Sequence, residues 1–545
     1  MQRYDYVVVG AGTAGCVLAN RLSENGKHKV LLLEAGPKDN YPWIHVPIGY
    51  AKTMFNPKYN WGFYTEPEPE LNNRKIYWPR GKVLGGSSSI NGLICIRGQA
   101  RDYDIWAQMG NEGWSYEDVL PYFRKSEGNE RGESKYHGGD GPLKCSDIHD
   151  RHELMEAIIR AGNELGVPRT DDFNGESQEG GGYFQLFTHR GKRCSTAVAY
   201  LRPAQNRKNL RIETGALVQR IIFEGKRATG IEYKQNGKTI TAKVNREVVL
   251  SAGAIQSPML LELSGVGQPE ILRSKGIEMV HELPGVGEAL QDHLQFRLQF
   301  RCTKPITTND SLASIWGKLG MGMRYAFGRK GPMSVGINHA GMFAQVLPES
   351  DGPDVQFHFA ALTANMAAAQ PDKFPGFTFS VCQLRPTSRG SVHIRDGYAE
   401  TEPVIHANYL STDLDWRCSL EAVKFARKLS NTEALREYKE ADYIPTSEVQ
   451  SDEDWKEWIR NAGASIFHPS STCKMGRDPM AVVDPQLRVH GLANVRVADC
   501  SIMPNLISGN TNAPVAMIGE KAADMILASA AKDATPRSNN FATAS

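Results

Sequence analysis

The sequence predicts an α/β chain, α+β overall, that opens on a Rossmann-like unit and continues in mixed strands and helices. Three observations carry this. Residues 4–9, YDYVVV, form a β-rich run that leads directly into GAGTAG. The stretch that follows, CVLANRLSENG, sets Ala14, Val17, Leu18 and Leu22 on one face at helical spacing. Gly26 then ends the helix, and residues 29–36, KVLLLEAG, read as a second strand.

The turn inside this unit is Gly10-x-Gly12-x-x-Gly15. Its first glycine permits a tight turn, its second lets a pyrophosphate approach the backbone, and its third lets the helix pack on the strand. Free N–H groups and the positive helix end suit phosphates. Glu34 ends the second strand, where a carboxylate can accept hydrogen bonds from a ribose diol and disfavours a ribose phosphate. The pattern points to a dinucleotide and leaves nicotinamide and flavin forms open.

Further along, residues 37–80 are rich in Pro, Asn and aromatics and read as an irregular covering segment. Residues 81–98, GKVLGGSSSINGLICIRG, begin as a glycine-serine loop and become apolar, while 101–126 and 152–165 look helical. Residues 210–253 read as strands with a hairpin turn at Asn236-Gly237. Residues 295–460 mix strand-like and amphipathic helical runs, and the last fifteen residues are expected to be disordered.

The bulk numbers exclude several classes. A length of 545 residues exceeds one ordinary core, so two or more domains or one with large insertions are expected. Lys and Arg total 63 against 61 acids, with no basic stripe, which argues against nucleic acid. Nine scattered cysteines without a C-x-x-C pair argue against a disulfide framework and a structural zinc site. With no signal-like leader and no apolar run of about 18 residues, the chain reads as soluble and cytoplasmic, with peripheral membrane attachment left open.

The stretch ASIFHPSSTCKMG holds His468, which on these residues alone is a metal ligand, a base or an ordinary buried histidine. Cys473 follows it closely, but two ligands are too few for zinc, and no metal is expected. There is no G-x-S-x-G nucleophile elbow, and GKVLGGSSS lacks the Lys-Ser/Thr ending of a P-loop.

Several stretches together resemble the glucose–methanol–choline (GMC) oxidoreductases. They are the N-terminal fingerprint, GKVLGGSSSIN, GAIQSPMLLELSGVG, LPGVGEALQDH, HPSSTCKMG, VRVADCSIMP and GNTNAPVAMIGEKAADMI, in order across nearly the whole chain. One departure is Cys95, where the family often has an aromatic; it reads as a small buried residue. The resemblance implies FAD as cofactor. Some members attach the flavin through a histidine just before the asparagine of the first signature; here that position is Ile90, so noncovalent FAD is expected.

By resemblance, Val83, Gly86, Ser87 and Asn91 lie along the flavin, and Val218 meets the adenine through its backbone. Gly253 opens the second signature, and Asp499 sits near the ribityl-diphosphate. His468 becomes the base, with Asn512 of GNTNAP as its uncharged partner. His293, His339, His358 and His490 are assigned structural roles.

The implied activity is oxidation of an alcohol to an aldehyde or ketone, with electrons passed to a quinone- or cytochrome-type acceptor. DDFNGESQEGGGYFQ and GKRCSTAVAYLRP resemble the choline-dehydrogenase-like bacterial branch, which covers aliphatic alcohol, polyethylene glycol, L-sorbose and choline dehydrogenases. A nonionic primary alcohol or sugar alcohol is the first choice. Choline would require an aromatic cage, for which Trp316, Tyr325, Phe357 and Phe359 are available, or a carboxylate. An oxygen-using oxidase, a light-driven flavoenzyme and a non-catalytic flavoprotein are the alternatives. The expected FAD domain is discontinuous, about 1–155, 205–295 and 465–530. A substrate domain on an antiparallel sheet takes 156–204 and 296–464, and 531–545 forms a tail.

Overall fold

The structure, a computed structural model, describes residues 2–365 and 370–534. Two seven-stranded sheets organise them. The first runs in the order Leu210–Thr214, Val30–Glu34, Arg3–Val9, Lys238–Leu250, Arg227–Gln235, Ala216–Glu224, with Val495–Val497 added beside Lys238–Leu250. The long strand Lys238–Leu250 joins two modes of pairing. Its first half is antiparallel to Arg227–Gln235, closing a hairpin at Asn236-Gly237, where both residues take positive φ. Its last residues run parallel to both Arg3–Val9 and Val495–Val497. Parallel strands covered on both faces are continuously apolar, as VVV, VLLL and VVL are here, and Val7, Val8, Leu32 and Val249 are fully buried.

Helix Thr13–Glu24 connects strands Arg3–Val9 and Val30–Glu34 of this sheet. Helix Asn512–Ala534 lies along it so closely that a Cβ on Gly519 would sit 3.1 Å from Ala14 Cα. A buried fork from Arg21 to Glu520, at 2.8–3.1 Å, and the Tyr200 hydroxyl donating to Glu520 at 2.9 Å tie the pair. The last helix therefore reaches into the expected tail, and the rest of that tail lies outside the described residues.

The second sheet is antiparallel, in the order Lys439–Ile444, Leu294–Cys302, Gly376–Gln383, Val355–Ala360, Ala340–Ala344, Gly180–Tyr183, with Ala464–Ser465 pairing the start of Leu294–Cys302. Side chains alternate across it. Phe296, Phe300, Phe357, Phe359, Phe377 and Phe379 share one fully buried face, over which helix Asp413–Ser430 packs. The opposite face carries Gln295, Arg297, Gln299, His358, Thr378 and Ser380, and these look into a cavity. Phe357 and Phe359 are thus core residues and line no cage. Trp316 is 77% exposed on helix Ile315–Gly328, and Tyr325 is buried against Gly191. The pleat decides this: in VQFHFA the phenylalanines and His358 must point opposite ways.

Candidate active site

A cavity of about 440 Å³ lies between the two sheets. One end is made by the glycine fingerprint. Gly10 has φ +94, and a Cβ there would meet Ser251 O at 2.6 Å; a Cβ on Gly15 would strike Gly10 O at 1.9 Å. Gly12 differs, for a Cβ there meets only Ser251 O at 3.8 Å, and its open side faces the cavity. Glu34 closes this end by accepting from Ala11 N at 3.0 Å and Gly36 N at 2.8 Å. Burial pushes its carboxyl up to about 7 against the pull of those two N–H groups.

The glycine-serine loop packs on the fingerprint. Gly85 N donates to Ala11 O at 2.8 Å, and a Cβ on Gly86 would lie 2.7 Å from Gly12 Cα. Ser87 Oγ accepts from Gly81 N at 3.1 Å. Asn91 faces the cavity and is held by Arg193, which donates to its Oδ1 at 2.6 Å and its carbonyl at 2.7 Å. Arg193 is buried among neutral acceptors, and desolvation brings its guanidinium down to about 9. Nothing in the sequence marked Arg193 beyond its place in GKRCSTAVAYLRP. Ile90 lines the cavity and offers no nucleophile.

The Val83 side chain packs with Ile44 and Tyr59, and its carbonyl accepts from Gly86 N at 2.7 Å. Val218 lines the cavity, on the strand Ala216–Glu224. Asp499 follows the short strand Val495–Val497, and one carboxylate oxygen accepts from Gly253 N at 2.8 Å and Ser257 Oγ at 2.6 Å. The other accepts from Ser501 N at 2.8 Å, so this residue both caps a turn and lines the cavity. Burial raises its carboxyl despite these donors.

The far end of the cavity holds His468. Its neighbour is Asn510 and not Asn512. Asn510 Nδ2 lies 3.2 Å from His468 Nε2, and Asn510 Oδ1 accepts from Gln356 Nε2 at 3.0 Å. Asn512 is the first residue of helix Asn512–Ala534 and accepts from Thr13 Oγ1 at 2.7 Å, beside the fingerprint. Both asparagines line the cavity, but as the chain enters the helix it turns them toward different partners, and spacing in GNTNAP could not tell them apart.

His293, assigned a structural role from sequence, is the other neighbour. Its Nε2 lies 3.0 Å from Leu384 O, and its Nδ1 lies 3.0 Å from His468 Nδ1. A carbonyl only accepts, so His293 carries its proton on Nε2 and presents a bare Nδ1. His468 then donates from Nδ1, which leaves Nε2 a lone pair facing Asn510 and the cavity. Burial pushes His293 down to about 4 and His468 well below the usual imidazole range. The backbone supports this aim: His468 N donates to Asp292 at 2.7 Å, and the preceding Phe467 sits at φ 72. Such a conformation in a bulky residue is strained and clusters at functional sites. Its carbonyl is held by Arg80 at 2.6 Å.

His358 also faces the cavity, beside Asn510, and burial pushes it down to about 3. His339 and His490 lie outside the lining, the latter against Gly476 O at 3.0 Å. Cys473 is fully buried in the core. Among the described residues one group has metal-ligand spacing, Cys95, Glu127 and Cys145. Glu127 there already accepts from Arg97 at 2.6 Å and sits 2.8 Å from His137, and burial holds the Cys145 thiol protonated.

Comparison with known proteins agrees with this geometry. The GMC oxidoreductase family models match residues 4–295 and 386–519. The chain is 46% identical to mitochondrial choline dehydrogenase of Mus musculus over 532 residues, 96% of this chain and 89% of that one. It is 45% identical to an oxygen-dependent choline dehydrogenase of Escherichia coli over 544 residues, 98% and 97% of the two chains. Its fold is similar to pyridoxine 4-oxidase from Mesorbium loti, with TM-score 0.87 and 30% identity over 95% of this chain and 98% of that one. It is also similar to a variant of the formate oxidase of Aspergillus oryzae RIB40, with TM-score 0.91 and 26% identity over 97% and 99%. An open glycine cradle, a carboxylate at the end of the second strand and a neutral histidine at the far end of the cavity fit FAD. The chain belongs to the GMC oxidoreductase family and is an FAD-dependent alcohol oxidoreductase.

Proposed function

We propose that His468 is the base that takes the alcohol proton and that Asn510 holds the alcohol oxygen. FAD, when bound, supplies the acceptor for the hydride of the carbinol carbon. The observation that carries the reading is the chain Leu384–His293–His468–Asn510, which leaves His468 Nε2 unprotonated at neutral pH. A base needs that lone pair within reach of the hydroxyl proton. Asn510 donates from its amide without competing for the proton, and Gln356 fixes its orientation from behind. Asp292, bonded to Ser465 and Tyr409 as well as His468 N, holds the backbone that aims the ring. FAD is held without a covalent bond, since Ile90 provides no attachment point.

The test is anaerobic reduction in the dark, read from bleaching of the flavin bands with a panel of alcohols. His468→Ala is expected to slow reduction by roughly 10²–10⁴-fold with FAD retained. An unchanged rate with the best alcohol would remove His468 from the base role.

The acceptor we propose is a quinone, met at a membrane surface. Helix Ile315–Gly328 supports this reading. Ile315, Trp316, Leu319, Met323 and Phe327 are all at least half exposed, up to 91% for Phe327. At 100° per residue they share an arc of about 120°. Lys318 and Arg324 flank it, and Arg329 and Lys330 follow. Apolar rings on one face with cations beside them suit insertion into an anionic lipid interface. Among the described residues no helix is long and apolar enough to cross a membrane.

A further inference from the structure

We infer that the substrate is an alcohol carrying a negative charge, whose anionic group is received by Arg297; this rests on the alcohol-oxidising reading above. Arg297 stands on the cavity face of strand Leu294–Cys302, opposite Ser380, which in turn stands opposite His358. Among the described residues its guanidinium makes no ion pair and no hydrogen bond, and it is only partly accessible. The phenol beside it, Tyr50, is held protonated by burial up to about 12 and supplies no charge. A guanidinium carries five donors and no acceptor, and a buried unpaired charge is costly unless something arrives to meet it.

The carboxylates that line the cavity are Glu34 and Asp499, and both are committed to backbone donors at the dinucleotide end. The wall around Arg297 holds Gln295, Gln299, Thr378, Ser380 and His358. Residues 366–369, which lie outside the described residues, are Met-Ala-Ala-Ala and bring no acid. Burial draws the Arg297 group down to about 10, so it remains a cation at pH 7. Its field reaches His358, where it helps keep the imidazole neutral. This end of the cavity is therefore a positive site without an internal counter-ion. A carboxylate, sulfonate or phosphate satisfies it bidentately, whereas a quaternary ammonium would meet repulsion and no carboxylate. Tyr50, Phe55, Trp61 and Phe467 are the aromatic side chains lining the cavity among the described residues; Trp61 already has Lys82 Nζ over its ring at 4.3 Å, and Tyr50 stands beside the Arg297 cation.

The relatives named choline dehydrogenases act, by their names, on a cationic alcohol. The geometry here points away from choline while keeping the same proton and hydride chemistry. The experiment uses the holoenzyme and three alcohols of similar size: choline, its neutral isostere 3,3-dimethylbutan-1-ol, and 4-hydroxybutanoate. Anaerobic flavin reduction should give kcat/KM in the order hydroxybutanoate, neutral alcohol, choline, with about 10²-fold or more between the ends. Arg297→Gln should shrink the hydroxybutanoate-to-neutral ratio to below about tenfold, and Arg297→Lys should restore part of it. Titration of the flavin spectrum with butanoate, which has no hydroxyl, reads the anion site separately. Choline as the best substrate overturns the inference. So does a wild-type spectrum unmoved by butanoate, even where the neutral alcohol reduces the flavin. Conversely, butanoate binding that Arg297→Gln abolishes, with no alcohol oxidised at all, would sink the alcohol reading and leave the anion site standing.

Discussion

Asn510 and Asn512 stand two positions apart and meet different partners. Asn510 touches His468, and Asn512 touches Thr13 in the glycine fingerprint. Their substitutions should separate accordingly. Asn510→Ala is expected to lower the rate constant for flavin reduction by about 10–10²-fold in fully loaded enzyme. Asn512→Ala removes one neutral hydrogen bond, ~1 kcal/mol, and should show as several-fold weaker FAD retention on dilution. A larger rate loss in Asn512→Ala than in Asn510→Ala would return Asn512 to the role the sequence suggested. The histidines add a pH prediction. A free imidazole would be half protonated near pH 6.5 and lose its base function below it. Lowering the pKa moves that loss to lower pH, and both His468 and His293 are lowered, the latter to about 4. The kcat/KM profile should hold its plateau through pH 6.5 and fall only below it. A midpoint at or above pH 6.5 would show that burial does not govern the base.

At the scale of elements, legibility followed local physics. The unit strand–Gly10-x-Gly12-x-x-Gly15–helix–strand was readable because close approach there demands glycine, and the contacts a Cβ would make at Gly10 and Gly15 show why. The hairpin at Asn236-Gly237 was readable because positive φ favours that dipeptide. What stayed hidden depends on register between distant strands. Arg297, Ser380 and His358 form one row only because Leu294–Cys302, Gly376–Gln383 and Val355–Ala360 pair in that alignment. A one-residue slip would send all three into the phenylalanine core. His293 was hidden for a similar reason: its partner lies 175 residues away. The direction of the Val83 side chain was hidden as well, since its packing partners Ile44 and Tyr59 lie in the irregular covering segment.

The whole molecule sets two sheets around one cavity and leaves one helix with its apolar side outward. The cavity accounts for the cofactor cradle, the base and Arg297, but not for Trp316 or Phe327, which bury nothing in this chain. Fully burying one such side chain contributes ~1.5–3 kcal/mol, so a stripe of five implies a partner surface. A bilayer suits it because the flanking groups are cations and the quinone we propose as acceptor would reside there. Sedimentation with vesicles should show binding to phosphatidylcholine containing phosphatidylglycerol, weaker binding to phosphatidylcholine alone, and loss of binding at high salt. Trp316→Ala with Phe327→Ala should weaken vesicle binding by at least about tenfold. Because these residues lie on the outer face of helix Ile315–Gly328, reduction of the flavin by alcohol should be far less affected than its reoxidation by vesicle-borne quinone. Wild-type protein that stays in the supernatant with both vesicle types would refute the membrane reading, and the stripe would then belong to a protein partner.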